Sequence, residues 1–175
     1  MTGTPQFFAL SREECAEILA RNHVGRLAYR DARQIHIVPL GFVAHDDVMF
    51  LRSASGTKME ALSRDPFVAF EVDEIDGPFD WRSVVVQGTI YIVERDGSAA
   101  EGRAVEAIRS VMPRAFTVKD PAPDRQMLYG LHILEITGRM AQSVPAPAGR
   151  VRITPASTSS RGCGRRRAPD ARRRQ

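Results

Sequence analysis

The chain has 175 residues, 43% of them hydrophobic, which suits one globular domain of roughly 100–200 residues with a real core. No run approaches the ~18 apolar residues of a membrane span, because the richest stretch, IHIVPLGFVA, is short and contains His36 and Pro39. The net charge of +4 divides unevenly: residues 150–175 hold nine Arg against Asp170 alone, leaving 16 basic and 20 acidic side chains in residues 1–149. The domain is therefore mildly acidic, and its charge excludes a basic footprint for nucleic acid.

Residues 1–9 carry no strong pattern and are expected to be a flexible N-terminus. Ser11 then opens a helix, with Glu14 placed to reach back to the cap in a capping box. Cys15, Ile18, Leu19 and Asn22 form its inner stripe, and Gly25 is expected to end it. Cys15 reads as a small buried apolar residue, since no basic neighbour in sequence favours a thiolate. Cys15 and Cys163 make no disulfide framework, and the first basic residue is Arg12, so no signal peptide and a reducing cytoplasm are expected.

Strand-like runs follow at 25–31 and 34–44, separated by Ala32 and Arg33 as a tight hairpin. Pro39 lacks an N–H, so its strand is expected to be locally at an edge or bulged. His45-Asp46-Asp47 turns the chain into a strand at 48–53. A short helix, TKMEALSR, comes next and stops at Asp65-Pro66. Residues 67–74 and 83–94 are the strongest strands, rich in β-branched and aromatic side chains. A helix is expected at about 99–110, an irregular proline-containing stretch at 113–127, and a last strand at 131–142. About six strands joined mostly by hairpins, with three helices beside them, predict a mainly β, α+β fold: a six-stranded antiparallel barrel with flanking helices. The domain is expected to span 10–143. Residues 144–175 read as a disordered Arg-rich tail with no specific role, including none in nucleic-acid contact.

The chemistry is narrowed first by what is missing. There is no nucleophile elbow, Walker loop or dinucleotide glycine fingerprint. His23, His36, His45 and His132 form no metal-spaced pair, so no metal site is expected. Glu71, Asp73, Glu74, Asp76 and Asp80 read as a solvated strand end and loop. The segment FLRSASGTKMEAL at 50–62 is the most informative. Its strand ends in Arg52 and Ser53, a glycine turn follows, and a helix begins near Thr57 and Lys58. Unpaired N–H groups at a helix start bind anions, so this cluster is a phosphate cradle in outline.

With VPLGF at 38–42, FLRSASGTKMEALSRDPFVAFEVDE at 50–74 and WRSVVVQG at 81–88, the chain resembles the flavin-binding split-barrel family. This is the pyridoxamine 5′-phosphate oxidase-like superfamily, in its branch of small flavin reductases that includes the nitroimidazole-resistance proteins. The resemblance runs from about Leu10 to Gln142. It implies a six-stranded split barrel, a homodimer, and flavin mononucleotide (FMN) in clefts between subunits. It further implies that Leu51, Arg52, Ser53, Thr57 and Lys58 match the phosphate-binding segment. Ile37, Val38, Pro39 and Leu40 match the strand along the flavin ring, and Trp81, Arg82 and Ser83 the strand whose serine touches it. The implied function is an oxidoreductase passing hydride from reduced flavin to a small electrophile, with no indispensable acid–base side chain. The alternatives are a non-catalytic binder of flavin, haem or a tetrapyrrole, with His36 or His132 as axial-ligand candidates, and a deazaflavin-dependent reductase. One position departs from the family: close relatives carry His-Ser-Ala where this chain has Arg52-Ser53-Ala54. An arginine does not exchange protons near neutral pH but binds anions bidentately, so Arg52 is expected at the phosphate or at an anionic substrate.

Overall fold

The computed structural model describes residues 4–144. Seven strands and three helices follow in the order β1 (Thr4–Ala9), α1 (Arg12–Arg21), β2 (Val24–Asp31), β3 (Gln34–His45), β4 (Val48–Ser53), α2 (Thr57–Arg64), β5 (Phe67–Gly77), β6 (Asp80–Ile92), α3 (Ala99–Val111) and β7 (Met127–Val144). Every strand pairing is antiparallel. The sheet runs β1-β7-β4-β3-β2-β5-β6, and β6 pairs again with β7, closing six strands into a barrel. The expected mainly β barrel with flanking helices is what the chain forms.

Closure depends on the length of β7. Its first residues, Met127–His132, pair with β4, its middle and end (Tyr129–Ala141) pair with β6, and its last residues, Arg139–Val144, pair with β1. β6 thus lies along one edge of β7 and β4 then β1 along the other, and the register slips between Gln87 and Gly88 of β6. Gly88 suits that bulge because a Cβ there would lie 2.1 Å from the carbonyl oxygen of His132.

Three expectations need correction. The N-terminal segment is not flexible throughout, because residues 4–9 form β1 on the far part of β7, so the folded unit begins before residue 10. The reason is an open edge: beyond Arg139, β7 has no β4 beside it, and β1 takes up its unpaired groups. Gly25 does not end α1. The helix stops at Asn22, whose side-chain amide donates to the Ile18 carbonyl, and Gly25 lies inside β2, where a Cβ would meet the Phe70 ring at 2.3 Å. The last strand starts at Met127, not 131. Expectations for residues 145–175 lie outside the described residues.

The expectations at Ser11, Pro39 and Cys15 hold. Ser11 and Glu14 form a reciprocal capping box, and Ser98 caps α3. Pro39 faces no β4 partner, because β3–β4 pairing begins at Gly41. Its strand is locally an edge there. Cys15 is 1% exposed among apolar neighbours, and burial, with Glu14 second, pushes its thiol pKa up.

Two apolar clusters hold the molecule. One fills the barrel, with Leu27, Leu51, Phe70, Val72, Val84, Tyr129 and Leu131 fully buried. α1 and α2 cover it through Ile18 and Leu62. The other lies outside the barrel wall, where Ala104 and Ile108 of α3 pack on Val43, Phe50 and Leu128. Phe50 and Leu51 therefore face opposite ways, as strand alternation requires. Among the described residues no helix is long and apolar enough to cross a membrane.

Candidate functional site

The end of β4 is where the candidate residues gather. Leu51 points into the barrel core, Arg52 points out beneath the 113–126 segment, and Ser53 lies at the barrel mouth beside α2. The Lys58 ammonium donates to Ser53 Oγ. Lys58 is half-buried, and its pKa is lowered, first by burial and then by the nearby Arg125 guanidinium. No ion pair joins Lys58 to a carboxylate among the described residues. The N-cap of α2 is Gly56, with no side-chain hydrogen bond to the helix's free N–H groups. A partly desolvated cation, two hydroxyls (Ser53 and Thr57) and an uncapped helix start form a donor set with no anion of the protein's own. Those residues fit a phosphate group.

Arg52 does something else. It is 3% exposed, and among the described residues its side-chain hydrogen bonds all go to one loop. Nη1 donates to Asp120 Oδ1 at 3.1 Å and Nη2 to Oδ2, a bidentate pair, while Nε donates to the Arg125 carbonyl and Nη2 to that of Ala122. Its guanidinium also lies 4.5 Å from the Phe116 ring centroid, and Arg95 lies 4.6 Å from the same ring. Asp120 in turn accepts from the backbone N–H groups of Phe116 and Ala122. Arg52 holds its carboxyl at about 2, below the ordinary value of 3.8. The expectation that Arg52 serves a phosphate or an anionic substrate is thus corrected. With these donors engaged and the side chain buried, it fastens the proline-containing segment to the barrel.

The ring-side candidates lie elsewhere on the surface. On β3, Ile37 and Pro39 point outward and are exposed, while Leu40 is buried in the core and Val38 packs against it. Strand pairing carries this outer face across the sheet: Pro39 opposes Arg26, Arg26 opposes Glu71, and Asp73 opposes Ser83. Arg26 bridges Glu71 at 3.0 Å and also Asp73, and Ser83 Oγ donates to Glu71 at 3.0 Å. The acidic run read as solvated is in part a set of partners for arginines, since Glu74 also takes a bidentate pair from Arg21 and sits at about 2. Trp81, the second residue of β6, lies at the other end of β7, tilted against Phe7 of β1 at 6.3 Å. Arg82 neighbours it. Within one chain, Trp81–Ser83 and Ser53–Lys58 are two separate groups at opposite ends of β7, where Ser53 pairs with Met127 and Ser83 with Arg139.

The histidines named for haem are both stacked on tyrosines, His36 on Tyr29 at 5.2 Å and His132 on Tyr91 at 5.1 Å. Three residues central to this region carried no local signal: Asp120 and Arg125, in a segment read as irregular, and Arg26. Their roles depend on partners dozens of residues away, such as Arg52 and Asp120, which are 68 positions apart.

The comparisons with known proteins agree with this architecture. A family model described as pyridoxamine 5′-phosphate oxidase matches residues 11–140. An uncharacterised protein of Rhizobium meliloti (strain 1021), RA0666, is 32% identical over 79 residues, 45% of this chain, so the match spans only about half (52%) of that relative. A crystal structure described as an FAD-binding protein of Mesorhizobium loti superposes with a TM-score of 0.66 at 27% identity, covering 80% of this chain and 100% of the other. A candidate 5-nitroimidazole antibiotic resistance protein of Bacteroides thetaiotaomicron shares the fold, with a TM-score of 0.60 at 18% identity over 79% of this chain and 89% of the other. With 130 consecutive residues matched by one family model and the barrel it requires closed by β7, the chain belongs to the pyridoxamine 5′-phosphate oxidase-like family of split-barrel proteins.

Proposed function

We propose that this protein is a flavin-dependent oxidoreductase that binds FMN and reduces a small electrophile. The observation that carries the reading is Lys58: a half-buried ammonium on Ser53, at an uncapped helix start, with no ion-pair partner among the described residues. Burying a cation without a counter-charge is costly, and an arriving phosphate removes that cost. In this reading Ser53, Thr57, Lys58 and the first N–H groups of α2 bind the phosphate. The exposed backbone around Ile37 and Pro39 orients the ring, and Ser83, whose proton goes to Glu71, has lone pairs left to accept from a ring N–H. When bound, the flavin supplies hydride or electron transfer, and the protein contributes orientation and exclusion of water.

A homodimer belongs to the same reading. Ile35, Ile37 and Phe67 are 68%, 66% and 65% exposed on one outer face, a patch that a second copy would cover. A second copy also offers a way for the two separated residue groups to serve one ligand.

An absorbance spectrum of the purified protein, followed by titration with FMN, FAD and riboflavin, tests the reading. A flavin doublet and tighter binding of FMN than of riboflavin are expected. A Soret band or a deazaflavin maximum would replace the cofactor, and preference for FAD would replace the mononucleotide. Light scattering that shows a monomer, with no flavin bound, would overturn the reading as a whole.

A further inference from the structure

We propose that Arg125 is a second cation of the anion site and that, with Lys58, it matches a doubly charged phosphate monoester. The inference rests on the phosphate reading above and adds a residue that no local motif marks.

The position of Arg125 is fixed by its backbone. Its carbonyl accepts from Arg52 Nε, and its N–H donates to the Ala122 carbonyl at 3.1 Å. Two residues later, Met127 pairs with Ser53, the residue that holds Lys58. The chain therefore enters β7 directly beside the Ser53–Lys58 contact. The Arg125 side chain is exposed, while its backbone is anchored by a buried ion pair. That combination suits a ligand-binding group: the anchor is rigid and the guanidinium is open to solvent.

The electrostatics agree. Arg125 is close enough to Lys58 to depress its pKa. The ion pairs of the described residues engage Arg12, Arg21, Arg26, Arg30, Arg52, Arg64 and Arg95, but neither Lys58 nor Arg125. Asp124, the residue just before Arg125, forms no ion pair with either of them among the described residues. Two unpaired like charges side by side repel each other, and an anion placed between them turns that repulsion into two attractions. A guanidinium adds two fork-like N–H donors to the point charge of the ammonium, which suits a dianionic phosphate better than a singly charged diester.

The test compares wild type, Arg125→Gln and Arg125→Lys in titrations with FMN and riboflavin, together with thermal melts in inorganic phosphate. Arg125→Gln is expected to weaken FMN about ten-fold, leave riboflavin within about two-fold, and lose most of the stabilisation by inorganic phosphate. Arg125→Lys should recover part of both. Arg125→Gln that binds FMN like wild type, or that loses both flavins equally, overturns the proposal. The phosphate melts separate this inference from the flavin reading. Wild type stabilised by phosphate in an Arg125-dependent way, yet binding no flavin, keeps the cation pair and removes the flavin. A phosphate effect unchanged in Arg125→Gln removes the cation pair.

Discussion

Arg52 and Lys58 lie six residues apart around one strand end, both cationic and both withdrawn from solvent, yet they are in opposite electrostatic situations. Arg52 has a full set of partners from a single loop: a bidentate carboxylate, two carbonyls and an aromatic face. Lys58 has a serine hydroxyl and a neighbouring positive charge. A saturated buried cation holds structure together, whereas an unsaturated one at a surface cleft is a group waiting for a ligand. Charge type alone would have put both in the same role. Strand alternation separates them, because Arg52 faces the outer wall with Phe50, while Ser53 and its lysine partner sit at the barrel mouth.

The largest expected effect comes from breaking the saturated side. Asp120→Ala leaves the Arg52 guanidinium buried without its counter-charge and frees the 113–126 segment, so the melting temperature should fall by roughly 10 °C. Calorimetry that finds no change would mean the pair is not what fastens the loop. Arg52→His should be destabilising for the same reason, since an imidazole cannot replace four donated hydrogen bonds.

Lys58→Ala comes next, with the opposite signature. FMN affinity should drop ten- to a hundred-fold, about 1.5–3 kcal/mol for a charge-assisted contact, with riboflavin binding little changed. The melting temperature without ligand should hold or rise slightly, because the substitution removes a desolvated, repelled charge. Equal losses for both flavins would move Lys58 from the ligand to the fold.

Acid separates the two groups again. Asp120 and Glu74 both titrate at about 2 in the folded protein, below their ordinary values of 3.8 and 4.5. A depressed carboxyl contributes stability that is present above its unfolded pKa and lost as pH falls through the folded one. Stability should therefore be level above about pH 5 and decline between about pH 4.5 and 2. In Asp120→Asn the decline should be shallower, which acid titration followed by circular dichroism would show.

The smallest effect is expected at the exposed Arg12–Asp47 pair, whose side chains are 68% and 81% exposed. Arg12→Ala should move the melting temperature by no more than about 2 °C. A larger shift would mean that surface pairs, and not only the buried one, hold this barrel together.

Local chemistry was enough to read most of the elements. The Ser11–Glu14 capping box, the hairpin at Ala32-Arg33, the helix between Gly56 and Pro66 and the β-branched run 83–94 are each decided by neighbours within a few residues. The Ser53–Thr57–Lys58 cluster was legible for the same reason, since a strand end and a helix start are adjacent in the chain. What sequence could not decide was set by contacts across long separations. β1 forms because β7 outruns β4 and leaves an edge to be paired, which depends on the length of a strand more than a hundred residues away. Gly25 is required by the Phe70 ring and not by a helix end. Arg52 looked like an anion-binding group until Asp120 closed on it. Arg125, in a stretch without periodicity, is placed beside Lys58 only by the closure of the barrel. Local patterns determine which segments are strands and helices, because those preferences act within a few residues. The partner of a charge is decided by the tertiary fold, because only the fold sets which distant groups share a region sheltered from water.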